Sequence, residues 1–135
     1  MSARLEELVA LLDLERIERN LFRARHPAGR TGRLYGGQIM AQAMKAAIET
    51  VDETRRPHSL HGYFLRPGDP AVPALIDVER IRDGRSFTTR RVVVVRHGHA
   101  IFNMDVSFQV AEAGLEHQLD MPALTPPPER KIPEA

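Results

Sequence analysis

One segment of this chain can form a stable helix only if other structure encloses it. It reads YGGQIMAQAMKAAIET, and from residue 39 to 51 nearly every position outside one narrow stripe is apolar. The polar residues of that stripe recur at helical spacing: Gln38, Gln42, Lys45 and Glu49. A helix that is apolar around most of its circumference is largely buried. Alanines at 41, 43, 46 and 47 would let a neighbouring layer approach closely. The sequence therefore predicts a helix over about 37–50 that is wrapped by a β-sheet.

The segments that follow this helix have the periodicity and composition of strands. The runs at 58–67, 74–81, 86–96 and 99–110 are aromatic, β-branched or alternating. Asp83-Gly84 lies between two of them and is a strong hairpin signal, and His97-Gly98 marks a second turn. Within 99–110 only Ile101 breaks the alternation. We therefore expect four antiparallel strands after the helix.

The segments before the helix predict a short helix, a strand and a loop. Residues 2–13 are amphipathic, and Ser2 is the expected N-cap. The apolar face of this first helix consists of Leu5, Leu8, Val9 and Leu12. Residues 15–25 are interpreted as a first strand, and 26–33 as a loop. The predicted fold class is α+β, a hot-dog fold in which a curved antiparallel sheet wraps one long helix. We expect this domain at 1–111, followed at 112–135 by a Pro-rich segment that has the composition of a linker and not of the end of a fold.

Composition excludes several classes of protein. The 135 residues carry a net charge of +1, which gives no reason to expect nucleic acid or a membrane surface as a partner. The chain has no cysteine, so disulfides, a thiolate nucleophile and cysteine metal ligands are excluded. The N-terminal segment has acidic residues within its apolar run, unlike a signal peptide. The apolar runs are far shorter than the roughly 20 residues that span a bilayer. We expect a cytoplasmic protein.

Motifs for metal, nucleotide and serine chemistry are missing. The close histidine pairs are His58 with His61 and His97 with His99. The first pair would point to opposite faces of a strand, and the second flanks a turn glycine, so no metal is expected. The sequence has no G-x-S-x-G elbow, no P-loop and no G-x-G-x-x-G. No cofactor is predicted.

Two features of the sequence each have two possible interpretations. Gly36 and Gly37 open the enclosed helix, where free N–H groups could hold an oxyanion or anion. The same glycines could instead only permit tight packing of the helix on the sheet. Arginines crowd the strands and turns, and they suit either phosphate binding or a solvated outer face.

Four motifs together resemble one enzyme family. They are LYGGQIMAQAMKAA, HSLHGYFLRPGDP, IRDGRSFTTRRV and IFNMDVSFQ, in this order. The chain is similar from about residue 5 to 122 to the amino-terminal half of type II acyl-CoA thioesterases, the TesB-type double hot-dog family. The resemblance implies a whole enzyme about twice as long, with two hot-dog halves in tandem. It also implies hydrolysis of acyl-CoA to a fatty acid and CoA by water, without a metal.

The resemblance also suggests which residues matter. The family's catalytic Asp, Ser or Thr, and Gln lie mainly in the second half. Placed on this half, the Gln corresponds to Gln109, whereas Gly37 and Pro57 stand near the other two positions. His58 matches a family motif and is a second catalytic candidate, with a structural hydrogen bond as the alternative. The expected substrate-binding residues are Gly36, Gly37, Arg66 and Arg85.

The expected function is therefore that of the N-terminal half of an acyl-CoA thioesterase, weak or inactive alone. Its expected partners are acyl-CoA and a second hot-dog half or a homodimer partner. Two alternatives remain: a single hot-dog homodimer that binds acyl-CoA, and a non-catalytic subunit of a split thioesterase. Hydration of enoyl-CoA is disfavoured because the chain has no Asp-x-x-x-x-His pattern.

Overall fold

A computed structural model describes residues 3–24, 26 and 32–124. These residues form two helices and six strands. The helices are α1 (Ala3–Leu11) and α2 (Gly36–Ile48). The strands are β1 (Glu15–Glu18), β2 (Leu21–Ala24), β3 (Arg55–Phe64), β4 (Ala74–Asp83), β5 (Phe87–Arg96) and β6 (His99–Val110). The expected Ser2 cap, residues 27–31 of the expected loop and residues 125–135 lie outside the described part of the chain.

The single strand expected over 15–25 is wrong, because the chain turns back at Arg19-Asn20 and forms the β1–β2 hairpin. Asn favours turns, and here its side-chain oxygen also accepts a hydrogen bond from Nε of Arg80 at 3.0 Å. The turn therefore packs on β4 and ends β1 after four residues.

All six strands form one antiparallel sheet in the order β1-β2-β4-β5-β6-β3. Both predicted hairpins, β4–β5 and β5–β6, are confirmed. The second turn has positive φ at both central residues, 48° at His97 and 74° at Gly98, which suits the twist of a two-residue hairpin. β3 lies at the sheet edge beside β6, and a strand at an edge tolerates Pro57.

The predicted enclosure of α2 is confirmed. The helix packs against β4, β5 and β6, and Ala43, Ala46 and Ala47 are fully buried in the core. The polar stripe is less exposed than its composition suggests. Gln42 is only 2% exposed because α1 covers it, and its Nε2 donates to the carbonyl of Leu11 at 2.8 Å.

Ile101 breaks the alternation of β6 for a structural reason. Val94 pairs with Phe102 and Val95 with Ala100, so Ile101 is the extra residue of a β-bulge. Its side chain is buried, and its carbonyl accepts hydrogen bonds from the N–H groups of Leu65 and Arg66. The bulge therefore holds the chain where it leaves β3.

Helix α1 forms as predicted, but much of its apolar face is exposed. Leu5, Leu8 and Val9 are 44%, 53% and 54% exposed. None of the helices in the described ranges is both long and apolar enough to cross a membrane. Residues 111–124 contain no helix or strand, and the linker at 112–135 stays a prediction.

Replacing Ala43 with Leu should destabilise the fold by about 1–3 kcal/mol, because the added side chain must enter a filled core. Ala41→Leu is the matched control, since Ala41 is exposed on the same helix. It should change the free energy of unfolding by less than about 0.5 kcal/mol. Urea unfolding followed by circular dichroism measures both variants. Equal effects would contradict the enclosure of α2.

Candidate functional site

The residues singled out in the sequence lie in two groups at opposite ends of the sheet. His58 and Gln109 lie where β3 begins and β6 ends, and Arg85 lies in the adjacent β4–β5 turn. The glycines at the start of α2 lie at the other end, near the end of β3, and Arg66 lies just after β3. The eight residues from Pro57 to Phe64 span about 23 Å of strand, at about 3.3 Å per step. A single chain therefore does not bring the two groups together.

His58 is an extra residue in the pairing of β3 with β6. Pro57 pairs with Phe108 and Ser59 with Ser107, so the register shifts across His58. Its Nε2 lies 2.9 Å from the hydroxyl oxygen of Ser107, and its ring centroid lies 5.7 Å from that of Phe87. The bulge turns the imidazole toward β6. The expected structural hydrogen bond of His58 is therefore present.

His58 and Gln109 line the same shallow cavity of about 270 Å³. Ser107 and His58 have the spacing of a nucleophile and a base, and no sequence pattern predicts this pair. However, no described carboxylate bonds the other ring nitrogen of His58, and Asp105 is instead paired with Nε of Arg91 at 3.0 Å. Glu112 also lines this cavity, but it makes no hydrogen bond to His58 or Ser107. The group can therefore hold or orient a polar ligand atom, but no carboxylate is bonded to His58 to support it as a base.

Two arginines fix the β4–β5 turn that carries Arg85. Nη2 of Arg55 donates to the carbonyls of Gly84 and Arg85 at 2.8 and 3.2 Å. Arg90 is 1% exposed and bonds Asp83 at 2.5 Å, together with the hydroxyl and carbonyl of Thr50 at 2.9 and 3.1 Å. Arg90 thereby ties the turn to the end of α2.

At the other end of the sheet, the two glycines differ in what they permit. A Cβ on Gly36 would lie 3.0 Å from Cζ of Phe64, which supports the tight-packing interpretation there. A Cβ on Gly37 would instead lie nearest to the ring of Tyr35, which is 78% exposed. Tyr35 provides no side-chain cap for α2. The N–H of Gln38 already bonds the carbonyl of Tyr35, so the N–H groups of Gly36 and Gly37 are those available to a ligand.

Arg66 lines a cavity of about 360 Å³ together with Gly36 and Phe64. Its Nη1 donates to the carbonyl of Ala100 at 2.7 Å, which fixes the guanidinium beside the helix start. Among the described residues, no group of three His, Asp or Glu side chains could hold a metal ion.

Sequence reasoning missed a connected polar group beside the start of α2. Arg96 is 4% exposed, and its Nη2 contacts Nε2 of His26. Nδ1 of the same imidazole lies 2.8 Å from the side-chain amide of Gln38. Burial and the neighbouring Arg96 lower the pKa of His26 from 6.5 to about 4. Local patterns could not reveal this group, because His26 and Arg96 are 70 residues apart in sequence.

Comparison with known proteins identifies a family that matches this chain. The family described as "Acyl-CoA thioesterase N-terminal domain" matches residues 24–109. Acyl-coenzyme A thioesterase 8 of Mus musculus is 50% identical over 122 residues, which is 89% of this chain and 38% of that protein. The chain thus spans well under half of that relative.

Solved structures agree with the predicted fold. The acyl-CoA thioesterase II TesB2 from Mycobacterium marinum has a TM-score of 0.78 at 47% identity, covering 89% of this chain and 44% of the other. A conserved protein of unknown function with hot dog fold from Alicyclobacillus acidocaldarius has a TM-score of 0.75 at 18% identity, covering 95% and 47%. The second likeness concerns the fold alone. The predicted hot-dog fold is confirmed.

The lowered pKa of His26 gives a testable pH dependence. An unfolded histidine gains its proton as the pH falls through 6.5, whereas folded His26 gains it only near 4. The unfolded state therefore binds more protons in this window, and stability falls as the pH decreases from 6.5 to about 4. The His26→Gln variant should lack this part of the acid sensitivity. NMR titration of the imidazole, with urea unfolding at several pH values, measures it. A midpoint near 6.5 would contradict the prediction.

Proposed function

Because this chain belongs to the acyl-CoA thioesterase family through its N-terminal domain, we propose that it is one hot-dog half of an enzyme that hydrolyses acyl-CoA to a free fatty acid and CoA. The chain matches well under half of its relative's length, which supports a two-half enzyme. Gln109 and His58 are the proposed catalytic residues of this half. Gly36, Gly37, Arg66 and Arg85 are its proposed substrate-binding residues.

Thioester hydrolysis requires a group that deprotonates or orients water, and donors for the oxyanion that forms. This half has donors, in the side chain of Gln109 and the N–H groups at the start of α2. It has no carboxylate in the first turn of α2, and Pro57 offers no hydroxyl. The second half is therefore the proposed source of the base, and this chain alone is weakly active or inactive.

The observation that carries this proposal is the separation of the two residue groups along an open strand edge. Among the described strands β3 pairs only with β6, and most of its residues are exposed. Exposed edge strands are templates for pairing with another chain. Antiparallel pairing reverses the direction of the partner strand. It would place the glycines and Arg66 of one half beside the other half's counterpart of His58 and Gln109.

The alternative homodimer that binds acyl-CoA would use the same edge, as would a non-catalytic subunit of a split enzyme. We propose a cytoplasmic location and no nucleic-acid or membrane partner, on the basis of the balanced net charge of +1. The activity measurement below separates an active homodimer from a half that needs its complement.

The isolated chain should hydrolyse decanoyl-CoA about 10²–10⁴-fold more slowly than the complete enzyme, because general-base assistance is missing. Adding the second half, fused or as a separate chain, should restore turnover. CoA release is followed with a thiol reagent, which this cysteine-free chain does not react with. If the isolated chain turns over at an ordinary rate of about 10 per second, the assignment of the missing base is wrong.

Edge pairing through β3 should be disrupted by Leu60→Lys, which places a charge on the exposed edge strand. Light scattering at micromolar concentration should show a wild-type dimer and a monomeric variant. Leu75→Lys is the control, because Leu75 is exposed to the same degree on β4 inside the sheet, at 42% against 41% for Leu60. A monomeric wild-type chain, or equal effects of the two variants, would count against pairing through β3.

A further inference from the structure

A groove of about 630 Å³ runs between α1 and the first turns of α2. Most of its lining is apolar, from Leu8, Leu11, Leu12 and Ala41, and Tyr35 and Glu7 also line it. Its polar end carries Gln38 beside Gly37 at the start of α2. This volume lies within the range of about 300–1,000 Å³ typical of small-molecule sites. The groove is distinct from the cavity that holds His58 and Gln109.

One hydrogen bond joins the two helices that border the groove. Gln42 is buried and donates to the carbonyl of Leu11 at the end of α1. This bond attaches the end of α1 to the middle of α2, while Leu8, one turn earlier, stays 53% exposed. The two helices thus meet at one end of the groove, and apolar surface remains uncovered along the rest.

The orientation of the Gln38 amide follows from its neighbours. A guanidinium only donates hydrogen bonds, so Nε2 of His26 must accept one from Arg96. In the neutral imidazole the proton then resides on Nδ1. That N–H needs an acceptor, and the amide of Gln38 lies 2.8 Å away. In the structure the amide nitrogen Nε2 of Gln38 occupies this position. Rotating the amide by half a turn places its oxygen against His26 instead, so that it can accept the hydrogen bond.

The amide nitrogen of Gln38 then points away from His26. Among the described residues, the side chain of Gln38 makes no other hydrogen bond, so both N–H groups remain for a ligand. Gln38 is half-buried and lines the polar end of the groove. The groove thus offers a fixed hydrogen-bond donor next to an apolar wall.

We propose that this groove binds the acyl chain of a thioester, with Gln38 donating a hydrogen bond to the thioester carbonyl and His26 and Arg96 acting as its positioning residues. The inference rests on the proposed thioesterase function and adds a site for the acyl part of the substrate. A carbonyl suits the site better than a carboxylate, because Glu7 also lines the groove and would repel a negative charge. The apolar walls fit a straight alkyl chain.

Calorimetric binding to the 135-residue chain tests this site with two uncharged, CoA-free probes. S-decanoyl-N-acetylcysteamine carries the thioester, and S-decyl-N-acetylcysteamine is a thioether without the carbonyl. Wild type should bind the thioester more tightly than the thioether.

The Ala41→Trp variant should weaken the binding of both probes at least tenfold, because the larger side chain fills the groove. It should still fold, since Ala41 is exposed. Ile48→Trp is the control on the same helix, because Ile48 is 39% exposed and lies outside the groove lining.

A separate comparison of the two probes tests Gln38 as the hydrogen-bond donor. Gln38→Leu should lower the affinity for the thioester about threefold to tenfold, which corresponds to the loss of one neutral hydrogen bond. The affinity for the thioether should change by less than about twofold. His26→Ala should remove the same preference, because the amide loses its fixed orientation. A purely structural role would change the affinities for both probes equally, and that result would overturn the donor assignment.

Three other results would overturn the site itself. They are no saturable binding by wild type, unchanged binding by Ala41→Trp, and loss of the bound probe when the second half is added, which would make the groove an interface. None of these measurements involves hydrolysis. If the two-half enzyme turns over but the chain does not bind the probes, only the proposed groove site is contradicted. If the chain binds the probes but the two-half enzyme does not turn over, only the proposed function is contradicted.

Discussion

The enclosure of α2 by the sheet is the constraint on which the rest of the structure depends. Fully buried Ala43, Ala46 and Ala47 let β4, β5 and β6 approach the helix backbone. Once the helix axis is fixed, each helix end must lie at one end of the sheet. Thr50, two residues after the helix ends, bonds Arg90 and so links this end of α2 to the β4–β5 turn. The first turn, with its glycines, lies near Phe64 at the end of the edge strand.

This placement explains why one chain holds two incomplete groups of polar residues. The donors at the start of α2 and the side chains of His58 and Gln109 are separated by most of the length of β3. Among the described strands the edge of β3 is open, and most residues of β3 are exposed. A second half paired there would bring complementary ends together. The position of the groove beside α1 fits the same arrangement, since it opens at the start of α2.

The elements that could be predicted are those set by short-range patterns. The apolar circumference of α2, the alternation of β6 and the two hairpin turns depend on neighbouring residues, and all are confirmed. The division of 15–25 into β1 and β2 was missed, because the turn at Arg19-Asn20 gains its support from the distant Arg80. The pairing of His58 with Ser107 depends on a bulge between strands 49 residues apart. The contact of His26 with Arg96 likewise results from tertiary packing. Sequence similarity suggested His58 and Gln109, whereas only the structure shows that they share one cavity.

The central claim is that β3 is the edge at which a second half completes the site. Hydrogen exchange of the chain, alone and with the second half added, tests it most directly. Strand β1 at the opposite edge of the sheet is an internal control. We predict that amide protection rises in Arg55–Phe64 and stays unchanged in Glu15–Glu18. Protection that rises at β1 or α1, with β3 unchanged, would contradict the account.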